Sequence, residues 1–372
     1  MRVVITGAKG FIGQNLAVRL ALMPQIDVIA LDSSHTPSEL SKALAKADAL
    51  VHLAGVNRPQ DPGDFARVNT AFTQHLCTEL TAQNKSIPII FASSSQALLD
   101  NPYGKSKRAA ETILESHANQ LGLGLAIFRL PGVFGKWAKP NYNSVVATFC
   151  SNAARGLPLQ IHDKNAPLEL VYIDDVIDAF IALLINPLSS PSKVQFLLVT
   201  PQYSLTVGEL ASTIHSFASA RQNYATERVG AGLLRALYAT YVSYLPPSDF
   251  SQSLAVHADP RGRFVEILKT PDSGQFSFFT AHPGITRGGH FHHTKTEKFV
   301  VVQGLARFRF RQLISGEEVT ILVDSKTPQM IESIPGWTHD ITNIGDSELI
   351  VLLWSSEVFN PKLPDTTAMP LE

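Results

Sequence analysis

A strand, a glycine-rich turn and a helix follow one another near the N-terminus, and this order constrains the fold more than any other feature of the sequence. Residues 3–5 are an apolar run typical of a buried strand. Gly7, Gly10 and Gly13 come next and lead into a predicted helix that Pro24 ends. Glycines at this spacing let the backbone approach a pyrophosphate, whose charge the helix N-terminus can stabilise. The pattern predicts a doubly wound parallel sheet that binds a dinucleotide.

An acidic residue, Asp32, follows the second predicted strand, where dinucleotide-binding folds place a carboxylate that binds the ribose. Its charge would repel a 2′-phosphate, and no Arg or Lys follows it before Lys42, so the residues alone favour NADH. The candidate coenzyme-binding residues come from the glycine turn, this acid, the end of the next strand, and a Tyr-Lys pair that is described below. They are Gly7, Gly10, Phe11, Ile12, Gly13, Asp32, Leu53, Ala54, Tyr103 and Lys107.

Several motifs in the first half of the chain are similar to the extended short-chain dehydrogenase/reductase family. The glycine spacing agrees with it, as does the segment His52-Leu53-Ala54-Gly55 at the end of a predicted strand. Tyr103 and Lys107 complete the Tyr-x-x-x-Lys pattern of that family. The resemblance implies a Rossmann-type fold and an NAD(P)-dependent activity.

Tyr103 and Lys107 can supply the chemistry of a ketone reductase. Residues four apart share one face of a helix, so both side chains can meet the same ligand. Reduction of a ketone leaves an alkoxide that needs a proton, and a phenol with a pKa of about 10 delivers it poorly at neutral pH unless a cation lies beside it. Lys107 would be that cation. Alignment with the family assigns the hydroxyl that binds the substrate carbonyl to Ser94, with Ser93 and Ser95 as neighbouring alternatives.

A polar segment further on is a candidate binding site for the diphosphate of a nucleotide sugar. Asn141 and Asn143 precede a predicted helix, whose N-terminus suits a phosphate, and Arg155 lies later in the same segment. The alternative is that the asparagines cap the helix and that Arg155 is a solvated side chain. We name all three as candidate substrate residues.

The composition argues against several other classes of function. The chain has 372 residues, enough for two domains, with a net charge of −1 and a pI of about 6.9, so no basic field favours nucleic acid or acidic lipid. Cys77 and Cys150 lie in apolar stretches that indicate helix, and we expect both to be buried free thiols. No apolar run reaches the length of a bilayer span, and we expect no signal peptide. The sequence predicts a cytoplasmic protein without a membrane or nucleic-acid partner.

The apolar pattern changes from helical to alternating after Leu245-Pro246-Pro247-Ser248, a stop typical of a domain boundary. Residues 305–311 show the alternating pattern most clearly. We therefore predict a reductase domain over residues 1–246 and an all-β domain over residues 247–372.

Imidazole and carboxylate side chains come together in this second part. His290 and His292 are one residue apart, so they share a face of a strand, and Glu297 follows soon after. His339 is a fourth candidate ligand. Sets of this kind hold a divalent metal, and without a thiolate zinc, iron, manganese and nickel are all compatible.

The stretch from Gly284 to Gly304 resembles the first motif of the cupin family, which are small double-stranded β-barrels of the jelly-roll type. Together with residues 259–266 it is similar to cupin epimerases that act on nucleotide-linked 4-keto sugars. That resemblance implies that a histidine or a following lysine, here His290 or Lys298, removes the proton beside the ketone. A metal ligand cannot also be a free base. Metal and base therefore remain to be divided among His290, His292, Glu297, Lys298 and His339.

A reductase followed by a cupin in one chain resembles a family of bifunctional capsular-polysaccharide enzymes, with residues 100–104, 139–145 and 292–295 as specific segments. The resemblance implies that the cupin domain epimerises C3 of UDP-2-acetamido-2,6-dideoxy-L-arabino-hex-4-ulose. The reductase domain would then use NADPH to reduce C4, giving UDP-2-acetamido-2,6-dideoxy-β-L-talose on the route to UDP-N-acetyl-L-fucosamine for capsule or O-antigen synthesis. Zinc in the cupin domain and a homodimer are further implications.

Two alternatives remain open from the sequence. The chain could be a nucleotide-sugar 4-ketoreductase with a single activity, its cupin domain being structural. It could also be a sensor of nucleotide sugars or redox state without turnover, although a pure binder has no use for the proton donor Tyr103.

Overall fold

The chain consists of two compact units. The computed structural model describes residues 1–187, 194–222, 225–254, 256–259, 262–265, 268, 274–357 and 362–371. One unit comprises residues 1–144 and 168–204, and the other comprises residues 145–167 and 205–372. Three residues of the motif at 259–266, namely Pro260, Arg261 and Glu266, lie outside the described residues.

A parallel sheet organises the first unit. The strands of this part of the chain are β1 (Arg2–Thr6), β2 (Asp27–Leu31), β3 (Ala49–His52), β4 (Ile89–Ser94), β5 (Leu125–Leu130), β6 (Gly132–Phe134), β7 (Pro167–Tyr172), β8 (Val194–Leu197) and β9 (Gln202–Thr206). Six of them form the sheet in the order β2-β1-β3-β4-β5-β8, and every pairing in it is parallel. The order reverses beside β1, so the carboxyl ends of β1 and β3 flank the crevice in which such sheets bind ligands.

Helices cover both faces of this sheet. The helices of the chain are α1 (Phe11–Ala21), α2 (Pro37–Lys46), α3 (Phe72–Ala82), α4 (Pro102–Leu121), α5 (Val145–Ala153), α6 (Ile173–Ile185), α7 (Val207–Gln222) and α8 (Gly232–Val242). On one face, Leu40, Leu76 and Leu114 from α2, α3 and α4 share a core with Val4. Val3 and Ile5 point to the other face and are equally buried, and α1 and α6 pack against each other. Burial on both faces explains the continuous apolar run in β1.

Two five-stranded antiparallel sheets form most of the described β part of the second unit. Its strands are β10 (Ser251–Ser253), β11 (Val256–Asp259), β12 (Gly262–Val265), β13 (Gln275–Ala281), β14 (Thr286–Phe291), β15 (Glu297–Gln303), β16 (Leu305–Gln312), β17 (Glu318–Asp324), β18 (Gln329–Glu332), β19 (Trp337–Asn343), β20 (Leu349–Ser355) and β21 (Thr367–Ala368). The five-stranded sheets have the orders β10-β18-β15-β20-β13 and β17-β16-β19-β14-β21, and β11 and β12 pair with each other as a separate antiparallel hairpin. Phe291, Phe299, Phe308 and Phe310 are among the buried aromatic side chains of these strands.

The predicted fold class is confirmed: a parallel Rossmann-type sheet precedes antiparallel sheets of cupin-like kind. The boundary between residues 246 and 247 stays a prediction. Cys77 and Cys150 are buried free thiols in α3 and α5. Burial raises the pKa of the Cys77 thiol to about 12, which makes it a poor nucleophile. Among the described helices, none combines the length and the apolar character that crossing a membrane requires.

Candidate active site and metal centre

The glycine turn packs tightly against the end of β3. Gly7 has a φ of +70°, and a Cβ added to it would lie 2.7 Å from the backbone nitrogen of Ala54. Thr6 reinforces this approach, because its hydroxyl accepts hydrogen bonds from the N–H groups of Leu53 and Ala54 at 3.3 Å. A Cβ at Gly13 would lie 2.7 Å from Cα of Ala8. Only glycine fits at both positions, and the structure brings the predicted pyrophosphate turn and the β3 end together.

Gly10 is the N-cap of α1, and Phe11 and Ile12 form the first turn of this helix. No side chain caps this terminus. Its N–H groups point along the helix axis and lack intrahelical partners, so they suit a pyrophosphate. All of the turn residues predicted for the coenzyme are therefore where a dinucleotide could bind.

Asp32 follows β2, as predicted, but it has a cationic partner that sequence reasoning missed. The Lys9 ammonium lies 2.9 Å from one carboxylate oxygen, and the other oxygen accepts hydrogen bonds from the N–H and hydroxyl of Ser34 at 2.7 and 2.6 Å. His35 Nδ1 lies 3.5 Å from the same oxygen as Ser34. The hydrogen bonds from Ser34 and Lys9 hold the pKa of Asp32 well below its usual range. Lys9 stands inside the glycine motif, so its position was the available signal.

Ser94 is the last residue of β4, and Tyr103 and Lys107 lie in the first two turns of α4. Burial raises the pKa of the Tyr103 phenol, and the neighbouring Ser94 side chain opposes this shift. The Lys107 ammonium donates to the carbonyl of Ala92 at 2.8 Å. Burial lowers the pKa of Lys107 to about 8, and Glu111 opposes this shift. Tyr103 and Lys107 are four residues apart on α4 and so share a helix face, which is the arrangement that a proton donor and its supporting cation require.

Asn69 supports the Tyr103 end of this group. It is almost fully buried in a π-helical turn, Phe65–Ala71, and its amide donates to the Ser106 hydroxyl at 2.9 Å. Ser106 in turn donates to the carbonyl of Tyr103 at 2.7 Å. The network fixes the first turn of α4.

The neighbouring Ser93 has a different partner from Ser94. Its hydroxyl donates to the Glu111 carboxylate at 2.5 Å, and Arg129 donates to both oxygens of that carboxylate. Glu111 lies one helical turn after Lys107. Of the two adjacent serines, Ser94 is the one that affects the pKa of Tyr103.

The three candidate substrate residues belong to different units. Asn141 and Asn143 are exposed residues of the first unit, and α5 begins at Val145 as predicted. Arg155 belongs to the second unit, where its guanidinium donates to the carbonyl and the hydroxyl of Ser151 at 3.0 and 2.7 Å. Their shared role at a diphosphate stays a prediction.

In the second unit, a β-bulge brings two of the predicted ligands face to face. The register of β14 against β19 shifts between Gly288 and His290, so that His290 stands directly opposite His339. Gly288 and Gly289 have φ values of +94° and +72°, which glycine adopts without strain. The ring centroid of His290 lies 4.9 Å from that of His339 and 5.0 Å from that of His292.

Glu297 joins these histidines at the start of β15. One of its oxygens lies 2.9 Å from Nε2 of His292 and 3.5 Å from Nε2 of His339. One donor atom from each of the four residues falls within 4.8 Å of the others. Burial would raise the pKa of Glu297, but the hydrogen bonds and charges of His292 and His339 hold it well below its usual range.

This donor set fits a divalent metal. Burial, with the charges of the other two histidines, lowers the pKa of His290 to about 4, and burial lowers that of His339 as well. Neutral imidazoles and an ionised carboxylate are the forms that bind metal. Three imidazoles with one carboxylate are compatible with zinc and with other transition metals.

Lys298 lies on the opposite face of β15 from Glu297, because successive side chains of a strand alternate. Its ammonium pairs with Glu332 of β18, which also pairs with Arg221 of α7. The structure does not bring Lys298 to the histidines. Lys295, which sequence reasoning missed, lies there instead, since its ammonium is 3.4 Å from Glu297 and 3.0 Å from the Thr366 hydroxyl.

Together, the fold and the two groups of residues define a class of protein: an NAD(P)-binding reductase fold joined in one chain to a cupin-like domain whose four clustered donor residues could hold a metal. The model of the NAD dependent epimerase/dehydratase family matches residues 3–197, and that of the polysaccharide biosynthesis C-terminal domain matches residues 257–367. The chain belongs to the NAD dependent epimerase/dehydratase family.

Two similar proteins match this chain over nearly its whole length. The UDP-2-acetamido-2,6-beta-L-arabino-hexul-4-ose reductase of Pseudomonas aeruginosa is 49% identical over 99% of this chain and 98% of its own length. The crystal structure of the capsular polysaccharide assembling protein CapF from Staphylococcus aureus is 38% identical, with a TM-score of 0.66 and full coverage of both chains. The predicted resemblance to capsular-polysaccharide enzymes is confirmed, and these relatives support an oxidoreductase activity.

A more distant structure shares the fold of the first part. UDP-glucuronic acid 4-epimerase from Bacillus cereus, in complex with NAD, is 20% identical, with a TM-score of 0.52 over 59% of this chain and 84% of its own. The likeness extends the Rossmann assignment to a structure that contains a dinucleotide.

Proposed function

We propose that this protein is a bifunctional nucleotide-sugar enzyme of cell-surface polysaccharide synthesis. It epimerises C3 of UDP-2-acetamido-2,6-dideoxy-L-arabino-hex-4-ulose and reduces C4 of the product with NADPH to UDP-2-acetamido-2,6-dideoxy-β-L-talose. The supporting observation is that a Ser94-Tyr103-Lys107 group and a four-donor cluster occur in one chain, whose full-length relative is named as a reductase of such a ketone. A 4-keto sugar would be a substrate for both groups of residues. Its ketone acidifies the C3 proton, which permits epimerisation, and the same ketone is then reduced.

In the reductase half, the coenzyme supplies the hydride. The Ser94 and Tyr103 hydroxyls hold the C4 carbonyl oxygen, and Tyr103 gives its proton to this oxygen as negative charge develops there. The buried Lys107 ammonium stabilises the phenolate that remains. The raised pKa of Tyr103 keeps its proton on the phenol until the alkoxide, a stronger base, forms.

For the coenzyme, Lys9 supports NADPH. Asp32 alone would repel a 2′-phosphate, but both of its oxygens are already engaged, by Lys9 and by Ser34. The Lys9 side chain is largely exposed, and it can turn from the carboxylate to a phosphate within the same turn. The cation offsets the repulsion on which the preference for NADH depends.

In the cupin half, His290, His292, Glu297 and His339 would hold the metal, and we propose zinc. A bound metal would act as a Lewis acid for the negative charge that develops on the ketone oxygen. Lys295 carries a second positive charge to the same place, because its ammonium lies beside Glu297. The pairing of Lys298 with Glu332 makes it a less suitable base than the sequence suggested.

A keto-sugar assay in deuterated buffer tests the proposal. Wild-type protein should oxidise NADPH and exchange the C3 proton. Tyr103→Phe should lower coenzyme oxidation by roughly 100-fold or more, the usual contribution of a general acid, while C3 exchange continues. His290→Ala should lose bound metal and C3 exchange and keep the reductase fold. Loss of both activities in Tyr103→Phe would contradict two separate sites.

A single-activity reductase with a structural cupin domain is the second candidate. The name of the Pseudomonas aeruginosa relative, which mentions a reductase alone, favours it. The same assay separates the two candidates, since a structural cupin predicts no C3 exchange in Tyr103→Phe and no effect of His290→Ala on the product.

A further inference from the structure

A segment near the C-terminus, residues 365–371, joins the sheet that carries the histidines. Its strand β21 pairs with β14 beside a proposed metal ligand, because Ala368 lies opposite His290. Met369 donates from its N–H to the carbonyl of Gly289 at 2.7 Å and accepts from the Thr338 hydroxyl at 2.5 Å. The segment therefore adds a strand directly beside the β-bulge.

Asp365, at the start of this segment, contacts His292 through its backbone. Nδ1 of His292 lies 2.5 Å from the Asp365 carbonyl oxygen. A carbonyl oxygen can only accept, so Nδ1 carries the proton in this contact. The other ring nitrogen, Nε2, faces Glu297. This contact fixes the orientation of the imidazole and turns Nε2 towards Glu297 and the other candidate metal donors.

The side chain of Asp365 binds the backbone of residues 293–295, which lie between the proposed metal ligands His292 and Glu297. Its carboxylate accepts from the N–H groups of His293, Thr294 and Lys295 at 2.8, 2.6 and 2.7 Å, and from the Thr294 hydroxyl at 2.9 Å. These residues connect His292 to Glu297 and to Lys295, whose ammonium lies at the donor set. One residue thus fixes both the ring of His292 and the turn that leads to Glu297.

We propose that Asp365 is a positioning residue of the metal centre, one that sets the geometry of His292 and Glu297 without touching the metal. The inference rests on the proposed metal centre. Nothing in the sequence pattern indicates it, because Asp365 lies far along the chain from the ligands it supports. Partners that orient a ligand typically contribute roughly 10- to 100-fold to metal affinity.

The test compares Asp365→Asn with Asp346→Asn, which makes the same chemical change at an exposed aspartate of the second unit. An asparagine has one acceptor oxygen in place of two, so it can keep the donors to only one of the two carboxylate oxygens and turns an NH2 group towards the others, and it lacks the negative charge. Zinc affinity, measured in the full-length protein by competition with a chromogenic chelator, should fall roughly 10- to 100-fold in Asp365→Asn and stay at the wild-type value in Asp346→Asn. Equal affinity in both variants would overturn the proposal.

A cobalt spectrum separates positioning from a general loss of stability. At saturating cobalt, altered ligand geometry changes the d–d absorption per bound ion, whereas partial unfolding only lowers the amount bound. We expect a changed spectrum per bound ion in Asp365→Asn, and an unchanged spectrum would count against the proposal. If wild-type protein binds neither zinc nor cobalt, the metal centre itself is wrong.

A second pair of variants covers the case in which Asp365→Asn does not fold. Thr294→Val removes one of the four hydrogen bonds to the carboxylate, and Thr294→Ser keeps it. A lower zinc affinity in the valine variant alone supports the proposal. The same affinity in both contradicts it.

Discussion

Lys107 is the proposed catalytic residue whose charge is lost first as the pH rises. Burial lowers its pKa from 10.5 to about 8, so the folded protein loses this proton at a lower pH than an unfolded chain does. The raised pKa of Tyr103 keeps the phenol protonated over the same range. The group that titrates first with rising pH is therefore the cation, and not the proton donor.

We expect kcat/KM for the keto sugar to fall as the pH rises through about 8, because the ammonium that stabilises the phenolate is then lost. Lys107→Arg should lower the rate and move this fall to higher pH, since a guanidinium stays charged. Initial rates of coenzyme oxidation across the pH range measure both effects. An unchanged midpoint in the arginine variant would assign the titration to another group.

Lys9 is a second residue with a separable effect, on the choice of coenzyme. In Lys9→Glu, kcat/KM for NADPH should fall roughly 10- to 100-fold relative to NADH, because a hydrogen bond to a charged group contributes about 1.5–3 kcal/mol. Lys42→Glu is the matched control, an exposed lysine of α2 with the same change of charge. A similar loss with both coenzymes would assign Lys9 to the pyrophosphate instead.

Strand β15 directs two neighbouring side chains to different partners, because successive side chains of a strand point to opposite faces. Glu297 and Lys298 are neighbours in sequence, yet one faces the histidines and the other pairs with Glu332. Lys295 precedes the strand and reaches the histidine side. The resemblance to cupin epimerases had pointed to Lys298, because the strand start at Glu297 and the turn before it could not be located from the residues.

Two lysine variants test this arrangement. Lys295→Met should lower C3 exchange roughly 100-fold, the usual effect of removing a donor that stabilises developing charge. Lys298→Met should leave C3 exchange close to that of the wild type, since Glu332 keeps its pairing with Arg221. Exchange is measured by NMR in deuterated buffer. The reverse ranking of the two variants would return Lys298 to the role of base.

Much of the site could be predicted from local pattern. The glycine turn, the pair Tyr103 and Lys107, and the histidine spacing are each encoded within a few residues, where backbone periodicity decides which side chains share a face. Contacts between distant residues were not predictable in this way. The pairing of Lys9 with Asp32 and the contact of Asp365 with His292 depend on how strands and turns meet in three dimensions.

Strand β13 forms an exposed apolar edge of the second unit. It is an outer strand of its five-stranded sheet, and Phe276 and Phe278 on it are 52% and 68% exposed. Natural sheets usually cover such edges, and exposed apolar patches mark interaction sites. We propose this surface as the interface of the homodimer that the family resemblance implies.

We expect Phe278→Glu to shift the protein from dimer towards monomer, because a charge would have to be buried in the interface. Leu322→Glu is the control, an exposed apolar residue of β17, an outer strand of the other five-stranded sheet. Light scattering after size exclusion gives the mass directly. A dimer that persists in Phe278→Glu, or a monomeric wild type, would remove β13 from the interface.

The spacing of the four metal donors bears on the order in which the second unit assembles. His290, His292 and Glu297 lie within eight residues, whereas His339 arrives with β19 from much further along the chain. A short segment closes its loop far sooner than distant strands find their register. If the proposed metal centre forms, three donors would be able to bind an ion while the sheets are still unformed, and the fourth would complete the site as the register of β14 and β19 sets. Metal supply during synthesis would then influence how fast this part of the molecule matures.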